Sequence, residues 1–175
     1  LFVARFTPPR SGTFMFHPHL GEYRQQLAGL DGALLVVDDL KTFDAATNIV
    51  LLITTPRVPG PHIYLNGTAS PAERQLRAGT TYRVRLLNLH NFRLSMLVKV
   101  MSDSTPLTWR AIAKDGMSLP PDQATVRPAV QQIGNGETYD FEFTPTVAGP
   151  LRLDVTNGAG RILLVSMPLR VLRAK

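Results

Sequence analysis

The sequence predicts an all-β protein, a sandwich or barrel with Greek-key connections. Three observations predict it. First, strand-sized apolar or alternating runs recur at short, even spacing. Tyr82-Arg83-Val84-Arg85-Leu86-Leu87-Asn88 and Tyr139-Asp140-Phe141-Glu142-Phe143 alternate as half-buried strands do. Second, turn chemistry separates the runs: Asn66-Gly67, Ala78-Gly79, Asp115-Gly116, Gly134-Asn135-Gly136, Gly149-Pro150 and Asn157-Gly158. Third, no segment carries a sustained helical period.

In chain order, residues 1–6 alternate like a strand, and 7–12 read as a turn. Thr13-Phe14-Met15-Phe16-His17-Pro18-His19 follows as a strand bearing two histidines. Side chains on a strand alternate with period two, so Thr13, Met15, His17 and His19 are expected on one face. Phe14, Phe16 and Leu20 are expected on the other, against a core. Pro18 lacks an N–H, so pairing should stop there. Residues 21–27 form a short helical turn closed near Gly29, and Gly32 opens a strand over 33–37. The polar stretch 38–41 is a boundary. Strands are then expected over 48–54, 63–66, 82–88, 93–100, 109–113, 123–130, 138–144, 151–156 and 162–172. Residues 1–38 supply about three strands, too few to enclose a core of their own. They must pack on the following unit, on preceding residues, or on another chain.

Composition narrows the function classes. The chain has 175 residues, 44% of them hydrophobic and 18% charged, ordinary for a globular protein. The net charge of +6 is spread over scattered arginines, with no basic block and no aromatic RNA-binding motif, so nucleic acid is not an expected partner. No apolar run approaches the ~20 residues of a membrane-spanning helix. With no cysteine, disulfides, thiolate zinc sites and thiolate nucleophiles are excluded within these residues. The opening, without an initiator methionine, reads like the middle of a strand, so any targeting segment is expected to precede it.

His17 and His19 carry the most pointed chemistry. Two imidazoles side by side are half of a metal site, of a kind that suits copper, zinc, iron or nickel. The plainer reading is two hydrogen-bonded histidines at a sandwich edge, since a tight site needs three or four ligands. Glu22, Tyr23 and Arg24 follow closely enough to orient a histidine, or simply form a solvated turn. His62 and His90 stand alone, in a Pro-rich turn and a strand-end loop. Asn66-Gly67-Thr68 fits a glycosylation acceptor pattern and also turn chemistry. Asp115-Gly116 is a hairpin signal. The five methionines are dispersed core fillers. No serine has a nucleophile-elbow context.

The run from Phe6-Thr7-Pro8 through Gly12-Thr13 to His17-Pro18-His19 resembles the second His-x-His motif of the laccase-like multicopper oxidases. Gly29-Leu30-Asp31-Gly32-Ala33-Leu34 is similar to the close of that family's first cupredoxin domain. Tyr64-Leu65-Asn66-Gly67, Leu76-Arg77-Ala78-Gly79, Ile112-Ala113-Lys114-Asp115-Gly116 and Gly136-Glu137-Thr138-Tyr139 match landmarks of its second domain in order. The resemblance covers nearly the whole chain. It implies strands of an incomplete cupredoxin domain over 1–40, and a complete cupredoxin-like domain without its own copper site over 41–175. It implies that His17 and His19 each ligate one copper of a trinuclear cluster that reduces dioxygen to water, and a periplasmic or secreted location.

The departures are equally informative. There is no His-Cys-His motif, and the other cluster motifs are missing. Met15 and Phe16 replace the usual Trp-Tyr, and Pro18 stands where serine is common. The chain alone is therefore expected to be inactive. The remaining cupredoxin domains, on the same polypeptide or a second chain, are its expected partners, with self-association through exposed strand edges. The competing class is a non-enzymatic β-sandwich for binding or assembly, with incidental histidines.

Overall fold

Alternation in the central strands sorts side chains to two faces, and the fold follows from what covers each face. The computed structural model describes residues 3–56, 63–91 and 95–174. Its elements are β1 (Gly12–Phe16), α1 (Glu22–Leu27), β2 (Gly32–Val36), β3 (Asn48–Thr54), β4 (Tyr64–Leu65), β5 (Arg74–Arg77), β6 (Tyr82–Asn88), β7 (Met96–Ser102), β8 (Thr105–Pro106), β9 (Thr108–Lys114), β10 (Met117–Ser118), β11 (Val126–Pro128), β12 (Val130–Ile133), β13 (Thr138–Phe143), β14 (Gly149–Asn157) and β15 (Leu163–Leu172).

The strands from β3 onward build two sheets. One runs β10-β9-β13-β6-β3-β4, with β11 added to β9; the other runs β12-β7-β14-β15-β5, with β8 added to β7. Pairing is antiparallel except for β3 with β6 and β5 with β15, which are parallel. These parallel neighbours require the chain to cross between sheets, as expected of a Greek-key sandwich rather than a meander.

The core lies between the sheets. Ile49, Leu51 and Ile53 of β3, Val84 and Leu86 of β6, and Phe141 of β13 face Val98 and Val100 of β7, Leu153 and Val155 of β14, and Met167 and Leu169 of β15. Trp109 stacks on Phe141 with ring centroids 3.9 Å apart and an interplanar angle of 14°. Each such fully buried side chain contributes about 1.5–3 kcal/mol relative to exposure.

Several sequence expectations need correction. Residues 3–8 form no strand, and Val3 and Phe6 stand exposed. Alternation there has no neighbouring strand to pair with. The segment expected as one strand over 123–130 is two, on different sheets: β11 pairs β9 and β12 pairs β7. Between them Ala129 is fully buried where the chain crosses over. The strand expected from residue 93 begins at Met96, and residues 92–94 lie outside the described residues. β5, β8 and β10 are additional, each too short or too polar to announce itself.

The turns behave as their chemistry dictates. Asp115 and Gly116 both have positive φ, 48° and 71°, and join β9 to β10 as an Asp-Gly hairpin. Asn66, at φ 52°, turns its amide along the flank of β3: the Leu52 N–H donates to Oδ1 at 2.8 Å, and Nδ2 donates to the Val50 carbonyl at 2.8 Å.

Among the described residues β1 and β2 pair only with each other, antiparallel, from Gly12↔Val36 to Phe16↔Gly32. This ribbon lies on the outer face of the β6–β13 sheet. Arg85 and Asp140, which alternation turns away from the inter-sheet core, are buried beneath it, with Thr13 of the ribbon buried against them.

Candidate metal centre

The ribbon delivers His17 and His19 just beyond its end, not along it. β1 stops at Phe16, so the expected strand over 13–19 ends one residue short of its first histidine, and both imidazoles sit in the loop to α1. Pro18 accounts for this, since it has no N–H to extend the ladder. The expected burial of Phe16 and Leu20 fails with it: Phe16 is half exposed and Leu20 is 86% exposed. Phe16 is nevertheless held, because its ring lies over Gly32, where a Cβ would come within 2.7 Å of the ring. Only glycine leaves that space, and this fixes the residue that precedes the pair.

The two rings lie side by side, with centroids 4.8 Å apart and planes tilted by 34°. His17 is about three-quarters buried, with its side chain 25% exposed, and His19 is exposed. α1 starts after Gly21, whose φ of 61° admits the turn, and puts Glu22 at its first position. Glu22 Oε1 stands 3.3 Å from His17 Nδ1, within ion-pair reach but without hydrogen-bond geometry, and that buried nitrogen has no hydrogen-bond partner. Of the neighbours proposed to orient a histidine, Glu22 stands against His17.

Among the described residues, no group of three or more His, Cys, Asp or Glu side chains is placed to hold a metal ion. His90 follows β6 and is buried in the sandwich, its imidazole pulled below the ordinary histidine range by burial. His62 lies outside the described residues. The donor set is thus the two imidazoles, half of the four ligands a tight site takes.

Beneath the ribbon lies a polar cluster that sequence reasoning missed. Thr13 Oγ1 donates to Asp140 Oδ2 at 2.8 Å and accepts from Arg85 Nη1 at 2.6 Å. Arg85 Nη1 also reaches Asp140 Oδ2 at 3.0 Å, and Arg83 Nε donates to the same oxygen at 2.8 Å. Arg85 Nε and Nη2 both donate to Asn48 Oδ1. Thr138 Oγ1 donates to the Thr13 carbonyl at 3.1 Å. Burial pulls the Arg85 guanidinium below its ordinary value, Asp140 opposes that, and Arg83 adds to it. Arg83 and Arg85 stand two apart on β6 and Asp140 on its neighbour β13, but nothing in the sequence ties them to Thr13. Beside the cluster, a polar cleft of about 410 Å³ is lined by Asp38, Asp39, Asp44, Arg83 and Arg85, and neither histidine of the pair borders it.

The architecture has clear counterparts among solved structures. A laccase-like multi-copper oxidase, CueO, from Ochrobactrum sp. superposes with a TM-score of 0.74 at 23% identity, over 94% of this chain and 41% of that one. The McoA multicopper oxidase of Aquifex aeolicus does so with a TM-score of 0.74 at 20% identity, over 95% of this chain and 42% of that one. The fold is that of a multicopper oxidase cupredoxin domain. A Cu-containing nitrite reductase from Thermus scotoductus shares this multicopper oxidase fold, with a TM-score of 0.69 at 16% identity over 93% of this chain and 41% of that one. The chain spans well under two thirds of such neighbours, 34% of one multicopper oxidase and 57% of another. No protein-family model and no curated protein matches the sequence.

Proposed function

We propose that the chain is part of a laccase-like multicopper oxidase, contributing His17 and His19 to a copper cluster and otherwise acting as architecture. Residues 1–40 are then strands of an incomplete cupredoxin domain, and 41–175 a complete cupredoxin-like domain without its own copper site. The observation that carries this is the placement of two adjacent imidazoles, 4.8 Å apart, at the open end of the ribbon in a multicopper oxidase fold. The structure offers no third ligand among the described residues, so the other ligands belong to further cupredoxin domains of the same polypeptide or to a second chain.

Copper in such a cluster supplies the electron relay between a reducing substrate and dioxygen. This chain's own part is to present neutral imidazole lone pairs from a rigid support. The buried Nδ1 of His17, turned to Glu22, leaves Nε2 as the nitrogen open to a metal. Without a cysteine the 175 residues hold no thiolate copper ligand, so they have no oxidase activity by themselves. By the same likeness the protein works in the periplasm or outside the cell.

Copper(II) titration by calorimetry tests the reading. The chain should bind copper weakly, and the His17→Ala/His19→Ala double variant should lose that binding. Equal binding by both would remove the ligand role and favour the non-enzymatic module. A His-Cys-His segment elsewhere in the encoding reading frame is also expected.

A further inference from the structure

The polar cluster under β1 is chemically expensive for a sandwich surface. Two guanidinium groups and a hydroxyl crowd around one carboxylate oxygen, and Asp140, Arg85 and Thr13 are each at least 95% buried. A strand could cover this face with apolar side chains at no loss of stability, and the best-attested use of a buried ionic group is to fix register. What it specifies here is plain from its members. Arg83, Arg85 and Asp140 all belong to the sandwich, and Thr13 alone belongs to the ribbon. Thr13 is caught twice through its hydroxyl and once through its carbonyl, which receives the Thr138 hydroxyl at 3.1 Å. Sliding β1 by one residue would put Thr13 on the opposite face and leave the cluster without its hydroxyl. The neighbouring contacts reinforce the same register: Arg10 Nε donates to the Gly116 carbonyl at 3.0 Å, and the Phe14 ring lies over Gly116. Four residues beyond Thr13, the same strand releases His17.

We propose that the Thr13–Arg85–Asp140 cluster is the positioning element of the His17–His19 pair, setting the register of β1 on the sandwich and thereby the place at which the two imidazoles are presented. The copper part of this proposal rests on the reading of the pair as ligands; the placement part does not. None of the three residues touches a metal. They act through the strand.

Thr13→Val is the discriminating substitution in the full 175-residue chain. It keeps the shape, removes only the ribbon's hydroxyl, and leaves the Arg83–Arg85–Asp140 contacts of the sandwich in place. The hydroxyl makes two hydrogen bonds, so its loss should speed amide exchange in β1 and β2 by about tenfold, while β7 and β14 exchange at the parent rate. The nuclear Overhauser cross-peak between the His17 and His19 rings should weaken, copper(II) affinity should drop by about tenfold, and the paramagnetic resonance spectrum of bound copper(II) should change. Thr13→Ser, which restores the hydroxyl, should return all four readouts to the parent. Unchanged ribbon exchange and an unchanged ring cross-peak in Thr13→Val would overturn the proposal, as would a Thr13→Ser variant that behaves like Thr13→Val. Faster ribbon exchange and a weaker cross-peak, in a chain whose copper binding never depended on the histidines, would uphold the positioning role and remove the ligand reading instead.

Discussion

At the scale of single residues, the most consequential groups are polar and buried. Asp140 accepts from Thr13, Arg83 and Arg85 on one oxygen. Asp140→Ala would strand Arg85 as an uncompensated buried cation, and the expected cost is about 3–5 kcal/mol in a urea-denaturation series. His90 acts in the opposite sense. Burial lowers its imidazole pKa, so the unfolded chain takes up this proton at a higher pH than the folded one. Its contribution to stability is complete above the ordinary histidine value of about 6.5 and is lost as pH falls through the lower folded value. Denaturation midpoints measured from about pH 8 down to about pH 5 should decline, and His90→Gln should flatten that decline. Neither role was legible in the sequence. Arg83 and Arg85 looked like two of many scattered arginines, because the groups that bury them come from Asp140 and from Thr13, which precedes Arg85 by 72 positions.

At the scale of elements, local chemistry was a good guide wherever a strand had a partner within the two large sheets. β3 and β6 have the expected bounds because their alternation is matched by neighbours on both sides. The Asp115-Gly116 hairpin forms where its residues allow positive φ. Residues 3–8 show the limit: the same alternation without a neighbour gives no strand. The His pair shows another, since Pro18 ends the ladder that the spacing alone would have extended. β1 is the element most sensitive to change at a distance. Gly116→Ala would place a methyl group against the Phe14 ring, at a residue whose φ is 71°. The expected loss is about 1–3 kcal/mol in thermal unfolding, accompanied by faster amide exchange in β1.

At the scale of the whole molecule, the sandwich closes its own core and the ribbon does not. Among the described residues β1 and β2 each have one paired side and one open side. Phe6, Phe16, Leu20, Tyr23 and Leu30 leave large apolar side chains exposed in the same N-terminal segment. Open strand edges with apolar neighbours recruit further chain. Light scattering over a concentration series should therefore show self-association, and deletion of residues 1–38 should abolish it. A monodisperse monomer at every concentration would count against open ribbon edges as the cause.

The side chain of Asn66 carries a consequence for how the protein can be produced. The nitrogen to which a host would join an oligosaccharide already donates to the Val50 carbonyl, and the oxygen beside it receives the Leu52 N–H. Once folded, the acceptor sequence Asn66-Gly67-Thr68 is therefore shut to the glycosylation machinery despite lying at the surface. A sugar added to the nascent chain would block that closure, leaving the flank of β3 bare.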